Sequence, residues 1–552
     1  MENTLKIIPL GGLGEIGLNM MMFEYGETSF IVDAGLMFPE DYMLGIDIVI
    51  PDMTYIRNKK TLISGIIITH AHEDHIGALP YLLKEINAPV FGTAFTLGVI
   101  ENKLEEHGVL SSALLHKISP DETLTIEPFE LTFIAVSHSV VDGVAVAIKT
   151  PIGMVVHTGD FRISRNPVEG LMTDVRKLKK LGEEGVLALL SDSTNVEREG
   201  YTISDQEVGE TLDTCVSESP GRVIVALFAS NVARIQQLID ISEKAGRKIV
   251  FSGKSVELTV DIAKRMGYLD VSDSMEIGIG EVNNFPDDEI VIITTGSQGE
   301  PMSALARMAA GSHKQIKIME GDTVILSSKF IPGNERAIAS IINRLYKSGA
   351  NVIYEKISDV HVSGHAFQEE LKLMINLTKP TYFIPIHGEY RHLTLHARLA
   401  RQTGIPESRI LLAENGHVIE LNNEEGRITD KIPTGRILID GKGIGDVGRS
   451  VLKERKILSE DGLVVVVMVF DEETGVVIYG PEIESRGFVF WTETGHLLDD
   501  AQCVILELVE EVGPDIPGRA EIIKGRLRSL LKQYFYFTIR RRPTIIPIIL
   551  EL

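Results

Sequence analysis

Cysteine is nearly absent from this 552-residue chain. Cys215 and Cys503 are the only two, too few and too far apart to form a framework, which excludes the small, disulfide-stapled secreted class. Long apolar runs are missing as well. The longest, Leu463 to Phe470, has eight residues against the roughly 20 that a membrane-spanning helix needs, so no membrane partner is expected. The opening Met1-Glu2-Asn3-Thr4-Leu5-Lys6 lacks a secretory-signal pattern, and a cytoplasmic location is the expectation. Basic residues are in deficit: 54 Lys and Arg against 78 Asp and Glu give −24, a balance that counts against general phosphate binding. From Pro514 onward the sign reverses, with eight basic residues against three acidic ones. A hydrophobic content of 44% with 24% charged residues is that of a globular chain rather than a disordered one. The length is enough for three or four domains.

Short apolar runs dominate the first 200 residues. Leu5–Leu10, the hairpin of Asn19–Glu24 and Ser29–Val32 around Tyr25-Gly26-Glu27, Ile66–Thr69, Leu131–Val136, Met154–His157 and Leu187–Leu190 read as strands. From about Gly221 strands alternate with helical patterns such as Asn231–Ala245 and Asn334–Lys347, the rhythm of a parallel, doubly wound sheet. Strand-and-loop character returns at Thr381–Ile386. A Gly- and Asn-rich connector follows, and then a small α+β unit with strands at Leu463–Phe470 and Val476–Tyr479 and helices near Leu497–Glu511 and Ala520–Gln533. The domains expected are 1–210, 211–360, 361–445 and 446–552.

Gly12-Leu13-Gly14-Glu15-Ile16-Gly17 matches the dinucleotide pattern G-x-G-x-x-G, with Asp33 at the spacing of a ribose-binding acid. The pyrophosphate of that motif needs a helix N-terminus directly after the glycines. Only eight residues separate Gly17 from the turn residue Gly26, which leaves no room for one. The glycines are read as a loop between strands.

The strongest signal is His70-Ala71-His72-Glu73-Asp74-His75, directly after an apolar strand. Three imidazoles and a carboxylate so close together offer the nitrogen and oxygen donors that suit zinc or manganese. Alternation aims His70 and His72 the same way, and Asp74 and His75 are free to serve a second ion as the chain turns. His138, Asp160 and His387 each follow a separate strand, where side chains from different strands converge at one rim of a sheet.

These residues resemble the metallo-β-lactamase superfamily: His70-x-His72-x-Asp74-His75, Asp33 in Val32-Asp33-Ala34-Gly35, His138 and Asp160. The insertion from Gly221, with Asp192 before it and His361-Val362-Ser363-Gly364-His365 and His387 after it, resembles the β-CASP branch, which acts on nucleic acids. Phe38-Pro39-Glu40-Asp41, Ser191-Asp192-Ser193-Thr194-Asn195, Ile331-Pro332-Gly333-Asn334-Glu335 and Gly480-Pro481-Glu482-Ile483 are similar to the ribonuclease J family over nearly the whole chain.

The resemblance implies an α/β chain: an αββα metallo-β-lactamase sandwich, an inserted doubly wound β-CASP domain and a small α+β C-terminal domain that mediates homodimer or homotetramer formation. It implies two divalent ions, zinc or manganese, one held by His70, His72 and His138, the other by Asp74, His75 and His387, with Asp160 bridging and Asp33 orienting a histidine. Two ions about 4 Å apart activate water against phosphorus and stabilise the departing oxygen. Asp74, His75, Asp192 and His365 are the catalytic candidates. Ser230 and Asn231, with His361, Val362, Ser363, Gly364 and His365, are the candidates for binding substrate phosphates. Some relatives carry a structural calcium, and Gly45, Asp47 and Asp440 match it. Ala233 and Lys329-Phe330 depart from the family pattern and bear on 5′-end preference.

The activity implied is metal-dependent hydrolysis of RNA, 5′-to-3′ exonucleolytic with endonucleolytic cleavage, on 5′-monophosphorylated RNA in RNA maturation and decay. A small-molecule hydrolase of the superfamily is a rival, but it predicts neither the insertion nor the Ser-Gly-His motif. A catalytically weak RNA-binding paralogue that supports an active ribonuclease J subunit is a second rival, and it predicts a broken ligand set, whereas all seven ligands are present here.

Overall fold

The computed structural model describes residues 4–59, 63–164, 172–300, 302–328, 334–355, 357–441, 443–471, 473–489, 496–513 and 516–552. Lys329-Phe330 and Ile331-Pro332-Gly333 lie outside them. The chain divides into two compact units, one of Met1–Met37 with Val49–Ile437, the other of Phe38–Ile48 with Leu438–Leu552.

In the first unit two mixed sheets enclose a common core. One runs in the order Gly426–Lys431, His417–Leu421, Leu5–Gly11, Met20–Tyr25, Thr28–Val32, Ile63–Ile67, Val90–Gly92, Leu115–Lys117. The other runs Tyr382–Ile386, Val186–Asp192, Gly153–His157, Val144–Thr150, Phe129–Ala135, Thr123–Ile126. Inward positions at the two-residue strand period, such as Ile7, Phe23 and Phe30 from the first and Phe129, Phe133 and Val146 from the second, are buried together. Phe30 stacks on Phe23 and meets Phe129 of the opposite sheet edge-on, with centroids 5.0 Å apart. Helices Gln368–Thr378 and Tyr390–Gln402 place Leu371, Met374 and Leu399 on the outer face of the second sheet. The glycine fingerprint is a loop, as read: Leu13–Gly14 forms a short bridge with Gly388–Glu389 and no helix follows Gly17.

Strand direction gathers the functional residues. Gly153–His157, Val186–Asp192 and Tyr382–Ile386 are parallel neighbours, so Asp160, Asp192 and His387 leave the sheet at the same rim. Phe129–Ala135 runs the same way, two antiparallel pairings removed, which brings His138 to that rim. In the opposite sheet Thr28–Val32 and Ile63–Ile67 are parallel and deliver Asp33 and His70.

The inserted part is a five-stranded, all-parallel sheet in the order Lys248–Ser252, Ile290–Thr294, Val223–Ala226, Thr323–Leu326, Asn351–Ile353. Its inner strands Ile290–Thr294, Val223–Ala226 and Thr323–Leu326 are buried on both faces, as a doubly wound sheet requires. Val223, Val225 and Ile249 pack on helices Asp205–Glu218, Val232–Lys244 and Lys254–Arg265. Ile224, Val250 and Ile292 pack on Ala304–Ala309 and Glu335–Lys347.

The second unit carries a three-stranded sheet, Val477–Arg486, Leu463–Phe470, Thr544–Glu551. Val464, Val466, Met468, Ile545 and Ile549 pack against helices Leu497–Val512 and Arg519–Ile539. Among the described residues no helix is long and apolar enough to cross a membrane.

His396, fully buried on the helix Tyr390–Gln402, faces Ser193 Oγ at 3.0 Å and the ring of Phe383. Burial lowers its pKa from 6.5 to about 3. Between those two values the unfolded chain binds the proton and the folded chain does not. Stability therefore falls as pH drops through that window, by about 1.4 kcal/mol per unit. His396→Phe removes that contribution. Denaturant unfolding at pH 7 and pH 5 is expected to show wild type losing about 2 kcal/mol more than the variant.

Candidate metal centre

The seven candidate ligands that the resemblance implies come together in two groups, His70, His72, His138 and Asp160, and Asp74, His75, Asp160 and His387. In the first group His70 Nε2 and His138 Nε2 each lie 3.1 Å from His72 Nδ1, and 3.7 and 3.8 Å from Asp160 Oδ2. A tetrahedral ion with bonds of about 2.05 Å has ligand-to-ligand edges of about 3.3 Å, so the spacing is that of a metal's donor set. In the second group His75 Nε2 is 3.2 Å from the same Asp160 Oδ2 and 3.6 Å from Asp74 Oδ2, and His387 Nε2 is 3.3 Å from Asp74 Oδ2. His387 Nε2 is buried and faces the Asp74 carboxylate. The residues fit two divalent ions: His70, His72, His138 and Asp160 would hold one, and Asp74, His75, Asp160 and His387 the other.

The far sides of these rings are held by the protein. Asp33 accepts from Thr69 N and Oγ1 and from His75 Nδ1, the last at 2.8 Å, so it fixes the His75 ring. His138 Nδ1 donates to the Gly364 carbonyl at 2.7 Å, which leaves Nε2 free to ligate. A Cβ at Gly364 would lie 2.7 Å from His138 Cε1; the Gly of the Ser-Gly-His motif is required by this histidine. His387 Nδ1 donates to Asp160 Oδ1 at 2.7 Å. Asp33 and His387 are two non-glycine residues at positive φ, 63° and 52°, a conformation that costs about 1 kcal/mol or more each and clusters at functional sites.

The electrostatics divide the imidazoles. Burial, reinforced by neighbouring histidines, holds His70 and His138 well below the ordinary value, and burial lowers His72 to about 4, so these three are neutral ligands at pH 7. Burial opposes charge on His75 and His387 too. The carboxylates of Asp160 and Asp74 outweigh it, holding His75 well above the ordinary range and His387 at about 10. Asp160 in turn stays ionised despite burial because His387 and His75 face it.

Asp192 sits beside the metal set. It accepts from Thr194 N and Oγ1 on one oxygen and from His365 Nδ1 at 2.8 Å on the other. The Asp192 and Asp160 charges raise His365 above its ordinary pKa against the opposing effect of burial. Asn195 donates to Ser363 Oγ at 2.6 Å and to the His365 carbonyl, fixing the Ser363-Gly364-His365 loop. His361 and Ser363 line a cavity of about 170 Å³ with Arg198, Glu355, Asp359 and Phe367. Ser230 Oγ approaches His72 Nε2 at 3.2 Å, and Asn231 caps the helix Val232–Lys244 by accepting from Arg234 N. Val362 corrects the expectation of a substrate contact: its side chain is 5% exposed in the apolar core of the inserted part. Asn19 is a group that spacing alone missed. Its Nδ2 lies 3.4 Å from Asp74 Oδ2 and 3.1 Å from His75 Nε2, and its backbone N–H donates to the Asp74 carbonyl.

In the second unit, Asp440 Oδ2 is paired with Arg455 Nη2 at 2.5 Å, Arg455 Nη1 donates to the Leu44 carbonyl, and Asp47 accepts from Gly441 N. A Cβ at Gly45 would meet Arg455 Nη1. The oxygens matched to calcium are thus engaged by a guanidinium and an amide, and an ion there would have to displace Arg455. The residues present do not form an open calcium cradle.

A metallo-hydrolase sandwich with a two-ion donor set at its rim is the class this fold and site define. Its parts match the models described as Metallo-beta-lactamase superfamily (residues 13–180), Ribonuclease J, beta-CASP domain (220–345), Zn-dependent metallo-hydrolase RNA specificity domain (349–408) and Ribonuclease J C-terminal domain (450–552). The chain is 43% identical to Ribonuclease J2 of Bacillus subtilis over 552 residues, covering 100% of this chain and 99% of that one. It is 42% identical to Ribonuclease J 1 of Streptococcus pyogenes (99% and 98% covered) and 40% to Ribonuclease J 2 of Staphylococcus aureus (100% and 99%). A solved structure of a protein of unknown function from Enterococcus faecalis superposes with a TM-score of 0.54 at 16% identity, over 76% of this chain and 100% of that one, a likeness of fold. The chain belongs to the ribonuclease J family.

Asp160→Ala is expected to abolish binding of both ions and His387→Ala to leave one, read by elemental analysis after dialysis against zinc or manganese. Because His75 and His387 are held protonated, loading the second position should release close to two protons near pH 7 and weaken as pH falls. Calorimetric titration in buffers of different ionisation enthalpy checks the sign.

Proposed function

We propose that this ribonuclease J family member hydrolyses RNA phosphodiester bonds at the two-ion centre, working 5′-to-3′ from 5′-monophosphorylated ends and also cutting internally, in RNA maturation and decay. The observation that carries the reading is the convergence of two donor groups on one oxygen of Asp160. Zinc or manganese suits the mixed imidazole and carboxylate set. Two such ions supply an activated water at neutral pH and a clamp for the attacking and leaving oxygens.

The chain's own groups do the rest. Asp33, the Gly364 carbonyl and Asn19 hold the ligand side chains in orientation. The Asp192–His365 pair presents an imidazolium, kept charged by the carboxylate on Nδ1, whose Nε2 hands its proton to the departing 3′ oxygen and regains one from solvent at the partly exposed ring. Ser363, with the Ser363-Gly364-His365 backbone, receives a backbone phosphate, Ser230 the 5′ phosphate, and His361 the nucleotide beyond. The local positive potential of the ions and imidazoles offsets an overall charge of −24.

The second unit supports self-association into a homodimer or homotetramer. Ile546, Ile548 and Leu550 project from the face of Thr544–Glu551 opposite its helices, 42%, 42% and 51% exposed, in register with Val465, Val467 and Val469. A contiguous apolar face of this kind marks an interface. The site of action is read as cytoplasmic.

Purified protein given 5′-monophosphorylated RNA is expected to release mononucleotides progressively. The rate should fall sharply on triphosphorylated RNA, and to background with chelator or with His72→Ala. His365→Ala should lower kcat by about 10²–10⁴ with metal content intact. If the protein is inactive alone but raises the activity of a ribonuclease J partner, the paralogue-subunit reading replaces this one. Ile546→Lys with Ile548→Lys should shift the mass in light scattering to that of a monomer.

A further inference from the structure

Arg162 stands two residues past the bridging ligand Asp160, and its backbone N–H donates to the carbonyl of Ser137, the residue before the ligand His138. Thr173 closes the arrangement, accepting from Ser137 N and donating to the Arg162 carbonyl at 2.6 Å. The backbone of Arg162 is therefore locked to both ligand loops. Its side chain points away from them, into the inserted part. There Nη2 bonds Asp205 Oδ2 at 2.5 Å, and Arg234 Nη2 lies 3.6 Å from the other oxygen of the same carboxylate. Gln237 ties the group together, accepting from Arg234 Nη1 at 2.6 Å and donating to the Asp205 carbonyl.

All three charged residues are buried, the two arginines at 3% and Asp205 at 7%. A surface ion pair would count for little. A desolvated carboxylate shared by two guanidiniums is different, because removing it leaves uncompensated charge and the groups it holds must move. Arg234 is on the first turn of the helix Val232–Lys244, capped by Asn231 directly after Ser230. Ser230 Oγ reaches His72 Nε2, the outer nitrogen of the ligand whose Nδ1 faces the ion position. A chain of contacts thus runs from the Asp160 and His138 loops, through Arg162, Asp205 and Arg234, to a hydroxyl on the opposite side of His72.

We propose that the buried Arg162–Asp205–Arg234 bridge is a positioning device for the metal centre, which sets the Ser230 turn of the inserted part against His72 and so tunes the hold of the first ion. It rests on the two-ion reading of the site. Arg162, Asp205 and Arg234 act through Ser230 and His72 and touch neither ion nor substrate.

Divalent-ion affinity is measured by competition with a chromophoric chelator for wild type, Asp205→Asn, Ser230→Ala and the double variant, with zinc as the probe and circular dichroism to confirm folding. Expected are losses of about tenfold or more for Asp205→Asn, in the range of lost outer-sphere partners, and several-fold for Ser230→Ala. The double variant should be no weaker than Asp205→Asn alone, because both substitutions break the same chain. Arg234→Lys, which keeps the charge and shortens the reach, should fall between wild type and Asp205→Asn, and it serves as the test if Asp205→Asn does not fold. An affinity within twofold of wild type in Asp205→Asn or Arg234→Lys, or losses that multiply in the double variant, overturns the proposal. A wild type that binds no zinc overturns the two-ion reading instead.

Discussion

One buried carboxylate oxygen, Asp160 Oδ2, organises this molecule's chemistry. It lies within 3.2–3.8 Å of imidazole nitrogens from His70, His75 and His138, in a place where a lone anion would be strongly disfavoured. Its charge survives only because His75 and His387 surround it with positive charge. The same field that stabilises Asp160 favours the charged form of those histidines, so the centre is a salt-bridged network whose imidazoles would give up protons to hold divalent ions.

Assembling that network imposes costs on the backbone that the sheets absorb. His387 and Asp33 occupy the left-handed region, and a Cβ at Gly35 would collide with the Asp74 carbonyl. Parallel strands hold the loops before and after these points in register, and phenylalanines join the two sheets beneath. The inserted part adds constraint from above. Tyr268 donates to Asp142, which also accepts from Phe95 N and Thr93, a second polar tie between the insertion and the sandwich besides the arginine bridge.

The convergence of these donor side chains was legible because metal donors are few in kind and follow apolar strands: His70-x-His72-x-Asp74-His75 needs only local spacing, and His138, Asp160 and His387 stand one to three residues past strand ends. The parallel sheet of the insertion was legible from its strand–helix rhythm. Contacts made by ordinary residues were not. Asn19 reads as a strand residue and Asn195 as a loop residue, because an amide side chain has many uses and its partner lies far away in sequence. Ser230 meets His72 across 158 positions. The helix Ala94–Glu106 escaped the strand-dominated reading of the first 200 residues. Phe95, Thr96, Leu97, Gly98 and Ile100 are all buried, so it has no single apolar stripe for periodicity to detect.

That helix shows why burial pattern and function separate in this fold. Gly98 leaves room for Ile262 of the inserted part, whose Cγ2 would lie 2.7 Å from an added Cβ, and Val362 contributes to the insertion's core although it sits inside the His361-Val362-Ser363-Gly364-His365 motif. A motif read as five recognition residues therefore contains an apolar anchor at its second position and a glycine demanded by a metal ligand at its fourth. His361, Ser363 and His365 are the polar side chains of the motif, and the other two hold the loop that presents them.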